Sequence, residues 1–166
     1  VVILNDPFCG GTHLPDITAV AGVFLSAGRA RGCGAAKPAF LVASRAHHAD
    51  VGGMSPGSMP LAREIYQEGI RIPPVLLMRR GRLDAGLMRL VLANVRTPEE
   101  REGDLLAQLA AMRRGEARLL ELVRKHGIER VRLNMRELQD YSERMMRAAI
   151  RRLPEGTQGR PDGFRA

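Results

Sequence analysis

Tryptophan is absent from this chain of 166 residues, and aromatic residues make up only 4% of it. The hydrophobic share is nevertheless 45%, so we expect a folded globular domain whose core is aliphatic. No apolar run approaches the length of a membrane span, and the apolar start Val1–Leu4 lacks the basic flank of a signal peptide. These absences predict a protein that neither crosses nor contacts a membrane.

Cysteine is also scarce, since only Cys9 and Cys33 occur. Two cysteines do not make a disulfide framework, so we expect a reduced, cytoplasmic protein. Three interpretations of Cys9 remain open: a metal ligand, a nucleophile, or a small residue that fills a tight turn, which is the favoured one.

Lysine is the third scarcity, with only Lys37 and Lys125 present, so arginine supplies nearly all of the net charge of +8. The arginines alternate with acidic residues and have no aromatic residues among them. That pattern is typical of a solvated surface, and it argues against nucleic-acid binding. Contact of the positive face with an acidic partner surface remains open.

Apolar patterning predicts a mixed α/β (α+β) fold, with N-terminal strands and loops that carry the site and a C-terminal helical hairpin. The predicted strands are Val1–Leu4, Ile17–Leu25, Ala39–Ala43 and a segment within Ile72–Met78. The predicted helices are Leu61–Glu68, Leu83–Ala93, one that starts at Thr97 and ends at His126, and Met135–Leu153.

The domain boundaries follow from composition. We expect residues 1–154 to form a single domain, and the polar, glycine-rich residues 155–166 to form a flexible tail or linker. The chain does not begin with Met, and it opens on an apolar run followed by a turn. We therefore expect it to be an internal section of a longer protein.

Two short segments contain three of the four histidines. The segment at residues 5–16 includes His13 and Asp16, and the segment at residues 45–53 includes His47 and Asp50. Each pair is spaced His-x-x-Asp after a predicted strand, and each segment has a glycine pair that allows close backbone approach. If the segments meet, these four side chains supply two imidazoles and two carboxylates, enough to bind a divalent metal ion.

Other roles for these segments remain open. His48 is next to His47 and should point elsewhere; it is a candidate ligand, a general acid or base, or a group that holds a carboxylate. Asp6, with Asn5, either holds a second ion or a polar substrate group, or closes an Asx-Pro turn, which is the favoured interpretation. Arg45 either binds a substrate carboxylate or pairs with Asp50. A further alternative is that the histidines and aspartates are ordinary turn caps and surface residues.

Long motifs along the chain resemble the hydantoinase B/5-oxoprolinase family, the B-type subunits of ATP-dependent hydantoinases. They run to about Pro154 and are as follows: Asn-Asp-Pro-Phe-Cys-Gly-Gly-Thr-His-Leu-Pro-Asp at 5–16, Ser-Arg-Ala-His-His-Ala-Asp-Val-Gly-Gly at 44–53, Ser-Pro-Gly-Ser-Met-Pro at 55–60, Glu-Gly-Ile-Arg-Ile-Pro-Pro at 68–74, Asn-Val-Arg-Thr-Pro-Glu-Glu-Arg-Glu-Gly-Asp-Leu at 94–105 and Tyr-Ser-Glu-Arg at 141–144.

The resemblance implies one component of a two-component enzyme. An A-type partner would bind ATP and phosphorylate an amide or carbonyl oxygen, and the B-type component would act in the ring opening of a cyclic amide such as a hydantoin or 5-oxoproline. The related acetone and acetophenone carboxylases carry a metal on their B-like subunit. We therefore expect a hydrolase of cyclic C–N bonds that works as a hetero-oligomer, with this section inactive alone. A ketone carboxylase subunit and a non-catalytic assembly subunit are the alternatives.

The resemblance also implies roles for individual residues. Carried over by motif position, the metal ligands are His13, Asp16 and His47, with Asp50 and His48 next in rank. Manganese or zinc is the expected ion. His48, Asp50 and Asp6 are the candidate catalytic residues.

Overall fold

The computed structural model describes residues 1–25, 37–57 and 60–153. It divides into two compact units, of which the first is Val1–Leu120 and the second begins at Glu121. Such a division does not define independently folding domains, so the expectation of one domain over residues 1–154 stays a prediction. The arginine-rich stretch around Cys33 and the expected tail lie outside the described residues.

The first unit is built on a four-stranded antiparallel sheet. Its strands are β1 (Val2–Leu4), β2 (Asp16–Val23), β3 (Phe40–His47) and β4 (Val75–Leu76), in the spatial order β3-β2-β1-β4. A short hairpin follows, formed by β5 (Met78–Arg79) and β6 (Arg82–Leu83). The 3-10 turns Pro7–Cys9 and Ile65–Gln67 lie in the connections.

Helices make up most of the chain after the sheet. They are α1 (Ala85–Leu92), α2 (Pro98–His126) and α3 (Ile128–Ile150). The Asp84 side chain caps α1 by accepting a hydrogen bond from Leu87 N, and the Thr97 carbonyl accepts from Arg101 N at the start of α2. The mixed fold and the C-terminal helices are confirmed, whereas their packing as a hairpin stays a prediction.

One face of the sheet is buried. Ile3, Ile17 and Ala19 are each only 1% exposed and belong to a single aliphatic and methionine core. Further members come from the connections, from β5 and from the helices: Leu14, Val51, Ile72, Leu77, Met78, Met88, Val91, Leu105, Leu109 and Met112. Alternate residues of β2 and β3 point to the opposite face, which carries Asp16 and His47.

Three predicted boundaries were wrong. Strand β3 continues through Ser44 to His47 instead of ending at Ala43, so His47 lies in the strand. Only the short turn Ile65–Gln67 replaces the helix expected over Leu61–Glu68. Helix α3 begins at Ile128 rather than Met135. A single residue, Gly127, separates it from α2. No helix among the described residues has the length and apolar character needed to span a bilayer.

Candidate metal centre

Strand pairing brings the two histidine segments together. In the antiparallel register of β2 with β3, Asp16 lies directly opposite His47. Their side chains point to the same face, and His47 Nδ1 lies 2.8 Å from Asp16 Oδ1. The predicted convergence of the two segments is therefore present, and it results from the sheet register.

His13 joins this pair through a tight turn. Asp16 N donates a hydrogen bond to the His13 carbonyl at 3.0 Å, so residues 13–16 form one turn. His13 Nδ1 lies 3.4 Å from Asp16 Oδ2, and the rings of His13 and His47 have centroids 4.9 Å apart. The potential ligand atoms of His13, Asp16 and His47 all lie within 4.8 Å of one another. We call these three residues the His-Asp cluster.

The side chain of Asn5, which is fully buried, holds the turn by hydrogen bonds to the backbone. Its amide nitrogen donates to the carbonyls of Leu14 at 2.7 Å and Ile70 at 2.9 Å, and its oxygen accepts from Ile72 N at 2.6 Å. These contacts occupy both the nitrogen and the oxygen of the Asn5 amide. Asn5 therefore holds the backbone of the turn next to His13, and it does not serve as the second ion site considered above.

Asp16 is ionised at neutral pH. Partial burial alone would raise its pKa, but hydrogen bonds from Thr12 and His47 and electrostatic interaction with His13 and His47 together lower it. The Thr12 hydroxyl donates to Asp16 Oδ2 at 2.6 Å. The cluster thus contains a fixed carboxylate, held in place by a residue four positions earlier in the chain.

The donor set fits a divalent metal ion. Two imidazoles and a carboxylate suit zinc, manganese or iron, and three protein ligands leave positions for water or substrate. His13 Nδ1 is buried without a hydrogen-bond partner, although an unpartnered buried nitrogen costs about 1–3 kcal/mol. A metal ion would give that nitrogen a partner.

His48 lies on the other face of the sheet. It is 2% exposed, and its Nε2 lies 3.1 Å from Gln108 Oε1 on α2. Burial lowers its pKa more than the Gln108 hydrogen bond and the Asp104 carboxylate raise it, so the ring is neutral at neutral pH. Adjacent strand residues point oppositely, so the structure places His48 outside the His-Asp cluster.

Asp50 also lies apart from the His-Asp cluster, contrary to the expected ligand set. Its oxygens accept from Arg96 Nη1 at 2.8 Å, from Arg96 N at 2.6 Å and from Gly52 N at 3.0 Å. Burial would raise the pKa of Asp50, but these hydrogen bonds and the Arg96 charge lower it. Asp50 therefore has a structural role, because its contacts join its loop to Arg96, just before α2.

Replacing Asp50 with asparagine tests that structural role. A carboxylate whose pKa is lowered by folding stabilises the fold at pH values above its ordinary pKa of 3.8, and it loses that contribution as the pH falls below that value. We expect Asp50→Asn to lower the free energy of unfolding by about 2–3 kcal/mol at pH 7, and by less at pH 3. Urea unfolding at both pH values measures the difference. An equal loss at both would contradict the assignment.

The remaining candidates hold local structure. Asp6 caps the turn Pro7–Cys9 by accepting from Phe8 N at 3.0 Å, and its other oxygen lies 3.4 Å from Arg71 Nε. The favoured turn interpretation of Asp6 therefore agrees with the structure, and these contacts leave the residue outside the His-Asp cluster. Cys9 is exposed.

Arg45 lies on the same face as His47, two residues earlier in β3. Its Nε donates to Thr18 Oγ1 at 2.7 Å, and its Nη2 donates to the Gly10 carbonyl at 3.3 Å. The expected alternative of pairing with Asp50 is not observed, because Asp50 binds Arg96 instead. Arg45 therefore places a cation near the His-Asp cluster.

Two residues of this region were missed by the sequence analysis. Thr12 lies four positions before Asp16, and only the turn brings its hydroxyl to the carboxylate. Gln108 has a recognisable signature, because it interrupts the buried stripe of α2 formed by Leu105, Leu109 and Met112. A polar residue at such a position requires a buried partner.

The fold and the cluster define a class: a domain in which an antiparallel sheet presents two imidazoles and a carboxylate on its open face. The family model for hydantoinase B/oxoprolinase matches residues 1–162, and the chain belongs to that family.

The chain is also similar to individual proteins and to a solved structure. An uncharacterized protein of Methanocaldococcus jannaschii is 40% identical over 152 residues, covering 91% of this chain and 25% of that protein. The caprolactamase subunit beta of Pseudomonas jessenii is 38% identical over 157 residues, covering 94% and 26%. The crystal structure of the ATP-dependent caprolactamase from Pseudomonas jessenii superposes with a TM-score of 0.74 at 36% identity, covering 93% and 25%. The chain thus spans about a quarter of the length of these relatives.

Proposed function

We propose that this chain carries the divalent-metal site of an ATP-dependent enzyme that hydrolyses a cyclic amide. The observation that carries the proposal is the convergence of His13, Asp16 and His47 from two distant segments. Membership of the hydantoinase B/oxoprolinase family and similarity to a protein named as an ATP-dependent caprolactamase support the amide as substrate class. Hydantoin and 5-oxoproline rings are the substrates we expect.

An A-type ATP-binding subunit is the proposed partner. An amide is a poor electrophile, and ATP-dependent phosphorylation of its oxygen by the partner would activate its carbon toward water. The ring would then open at the C–N bond, and hydrolysis of the resulting acyl phosphate would release phosphate. Similarity to a chain named subunit beta supports a multi-subunit enzyme. ATP would therefore be bound by the partner, and the reaction completed at the His-Asp cluster in a hetero-oligomer.

The residues around the cluster have distinct tasks in this proposal. A manganese or zinc ion held there would act as a Lewis acid toward an amide oxygen or a water molecule. Asp16 supplies the negative charge, and Thr12 fixes its orientation. Arg45 lies on the same face, and its guanidinium suits a phosphate or carboxylate group of the substrate.

Metal binding by His13 tests the proposal. In the full-length protein, we expect His13→Ala to weaken Mn²⁺ or Zn²⁺ binding by more than about a hundredfold, since loss of an outer-shell partner alone costs about 10–100-fold. His126→Ala, at an exposed histidine of α2, is the matched control and should bind like the wild type. Isothermal titration and metal analysis measure the effect. Equal metal binding by wild type and His13→Ala would refute the site.

Assembly is a second candidate function, favoured by the surface of α3. Leu138, Tyr141 and Met145 are each more than half exposed on this helix. Such a stripe is typical of a helix that contacts another segment or subunit. If the chain only supports assembly, His-Asp cluster variants will leave turnover intact. A ketone carboxylase is the remaining alternative, and turnover of ketones but not cyclic amides would establish it.

A further inference from the structure

Gln108 is a polar residue in the middle of an apolar helix face. It is 5% exposed, and its neighbours on the buried stripe of α2 are Leu105, Leu109 and Met112. Burying an amide costs free energy unless its hydrogen bonds are satisfied, whereas leucine at the same place would not incur that cost. The hydrogen-bond partners of Gln108 therefore indicate why this position has an amide side chain.

The amide of Gln108 joins the two strands that carry the His-Asp cluster. Its nitrogen donates to the carbonyl of Ile17 in β2 at 3.0 Å and to the carbonyl of Ser44 in β3 at 3.3 Å. Its oxygen lies 3.1 Å from His48 Nε2. Ile17 directly follows Asp16, and His48 directly follows His47.

These contacts fix the orientation of both side chains. Two carbonyls can accept only from the nitrogen of Gln108, so its oxygen is the atom that faces His48. His48 Nε2 therefore carries a hydrogen and donates it to Gln108. The His48 backbone N also donates to the Pro15 carbonyl at 2.8 Å, so the ends of both strands are tied to each other and to α2.

We propose that Gln108 is a positioning residue for the His-Asp cluster. Among the strands that the structure describes, β3 lies at the edge of the sheet, with β2 as its one neighbour. By binding β2, β3 and His48 at once, Gln108 sets the separation between Asp16 and His47 from the opposite face of the sheet. The inference rests on the proposed function, because it assigns the geometry of the same metal site.

Cobalt binding tests this role in the full-length protein, because Co²⁺ reports ligand geometry through its visible absorption. Gln108→Leu keeps the bulk of the side chain and removes all three contacts. Gln108→Glu keeps an acceptor for His48 but loses both donors to the carbonyls. Met112→Ala is the matched control, since it damages the same buried stripe without touching β2 or β3 through hydrogen bonds.

We expect both Gln108 variants to raise the Kd for Co²⁺ by about 10–100-fold and to change its visible spectrum. Met112→Ala should lower the unfolding temperature and keep the wild-type Kd and spectrum. Wild-type Kd and spectrum in Gln108→Leu, or in Gln108→Glu if the leucine variant does not fold, would overturn the inference. Unfolding of both variants while Met112→Ala folds would also overturn it, by showing a role in stability alone. Wild-type protein that binds no Co²⁺ would instead refute the proposed function.

Discussion

We expect turnover of a cyclic amide by the full-length complex to fall by about 10³-fold or more when Asp16 is replaced with asparagine. The change is nearly isosteric, so the turn and the contact with Thr12 are retained. It removes the only carboxylate of the His-Asp cluster, however, and with it the charge that offsets a divalent cation. A Lewis-acid metal contributes several kcal/mol to a transition state, and each 1.36 kcal/mol is about tenfold in rate.

The steady-state rate measured with the partner subunit, ATP and saturating metal checks this expectation. Asp140→Asn, at an exposed aspartate of α3, is the matched control and should retain the wild-type rate. Full turnover by Asp16→Asn would reject the metal mechanism and leave the assembly function as the better account.

We expect the free energy of unfolding to fall by about 3–4 kcal/mol when Gly53 is replaced with alanine. Gly53 has φ +82°, a left-handed conformation that side chains disfavour. An added Cβ would also lie 2.5 Å from the Gln67 carbonyl oxygen and 2.8 Å from that of Glu68. The Gln67 oxygen cannot move freely, since Met54 N already donates to it at 2.8 Å.

Gly57→Ala separates the cost of the positive φ from the cost of the close contact with the backbone oxygens. Gly57 has φ +107°, but nothing lies within 4 Å of the position that an added Cβ would occupy. This control should therefore lose only the conformational part, about 1 kcal/mol. Urea unfolding of both variants measures the difference, and equal losses would show that the close backbone contact of Gly53 contributes nothing.

Some of the fold was predictable because its causes are local. The turn that brings His13 to Asp16 spans four residues, and Pro15 and the glycine pair before it favour a bend. The start of α2 after Thr97 follows from capping and from proline in the first turn. Such features depend on neighbours in the chain, so a single sequence contains the information.

The extent of β3 was not predictable in the same way. Ser44, Arg45 and His47 are polar, and a search for apolar runs ends the strand at Ala43. The structure shows that one face of β3 is open, so exposed residues alternate with half-buried ones from Phe40 to His47. The pairing with β2, rather than apolar content, keeps these residues in the strand.

The two His-x-x-Asp pairs have the same spacing, but only the first brings its aspartate into the His-Asp cluster. His13 and Asp16 are joined by a turn, whereas His47 ends an extended strand. Asp50 lies beyond the end of that strand, in the loop that follows it. There its carboxylate meets Arg96, which lies 46 positions further along the chain.

The sequence by itself determined the aliphatic core, the start of α2 and the family. Only the tertiary structure decided which histidine faces Asp16, that Asp50 binds Arg96, and that Gln108 joins both strands. The physical reason is the range of the interactions. Turns and caps depend on a few adjacent residues, but strand register and helix packing depend on burial summed over the whole chain.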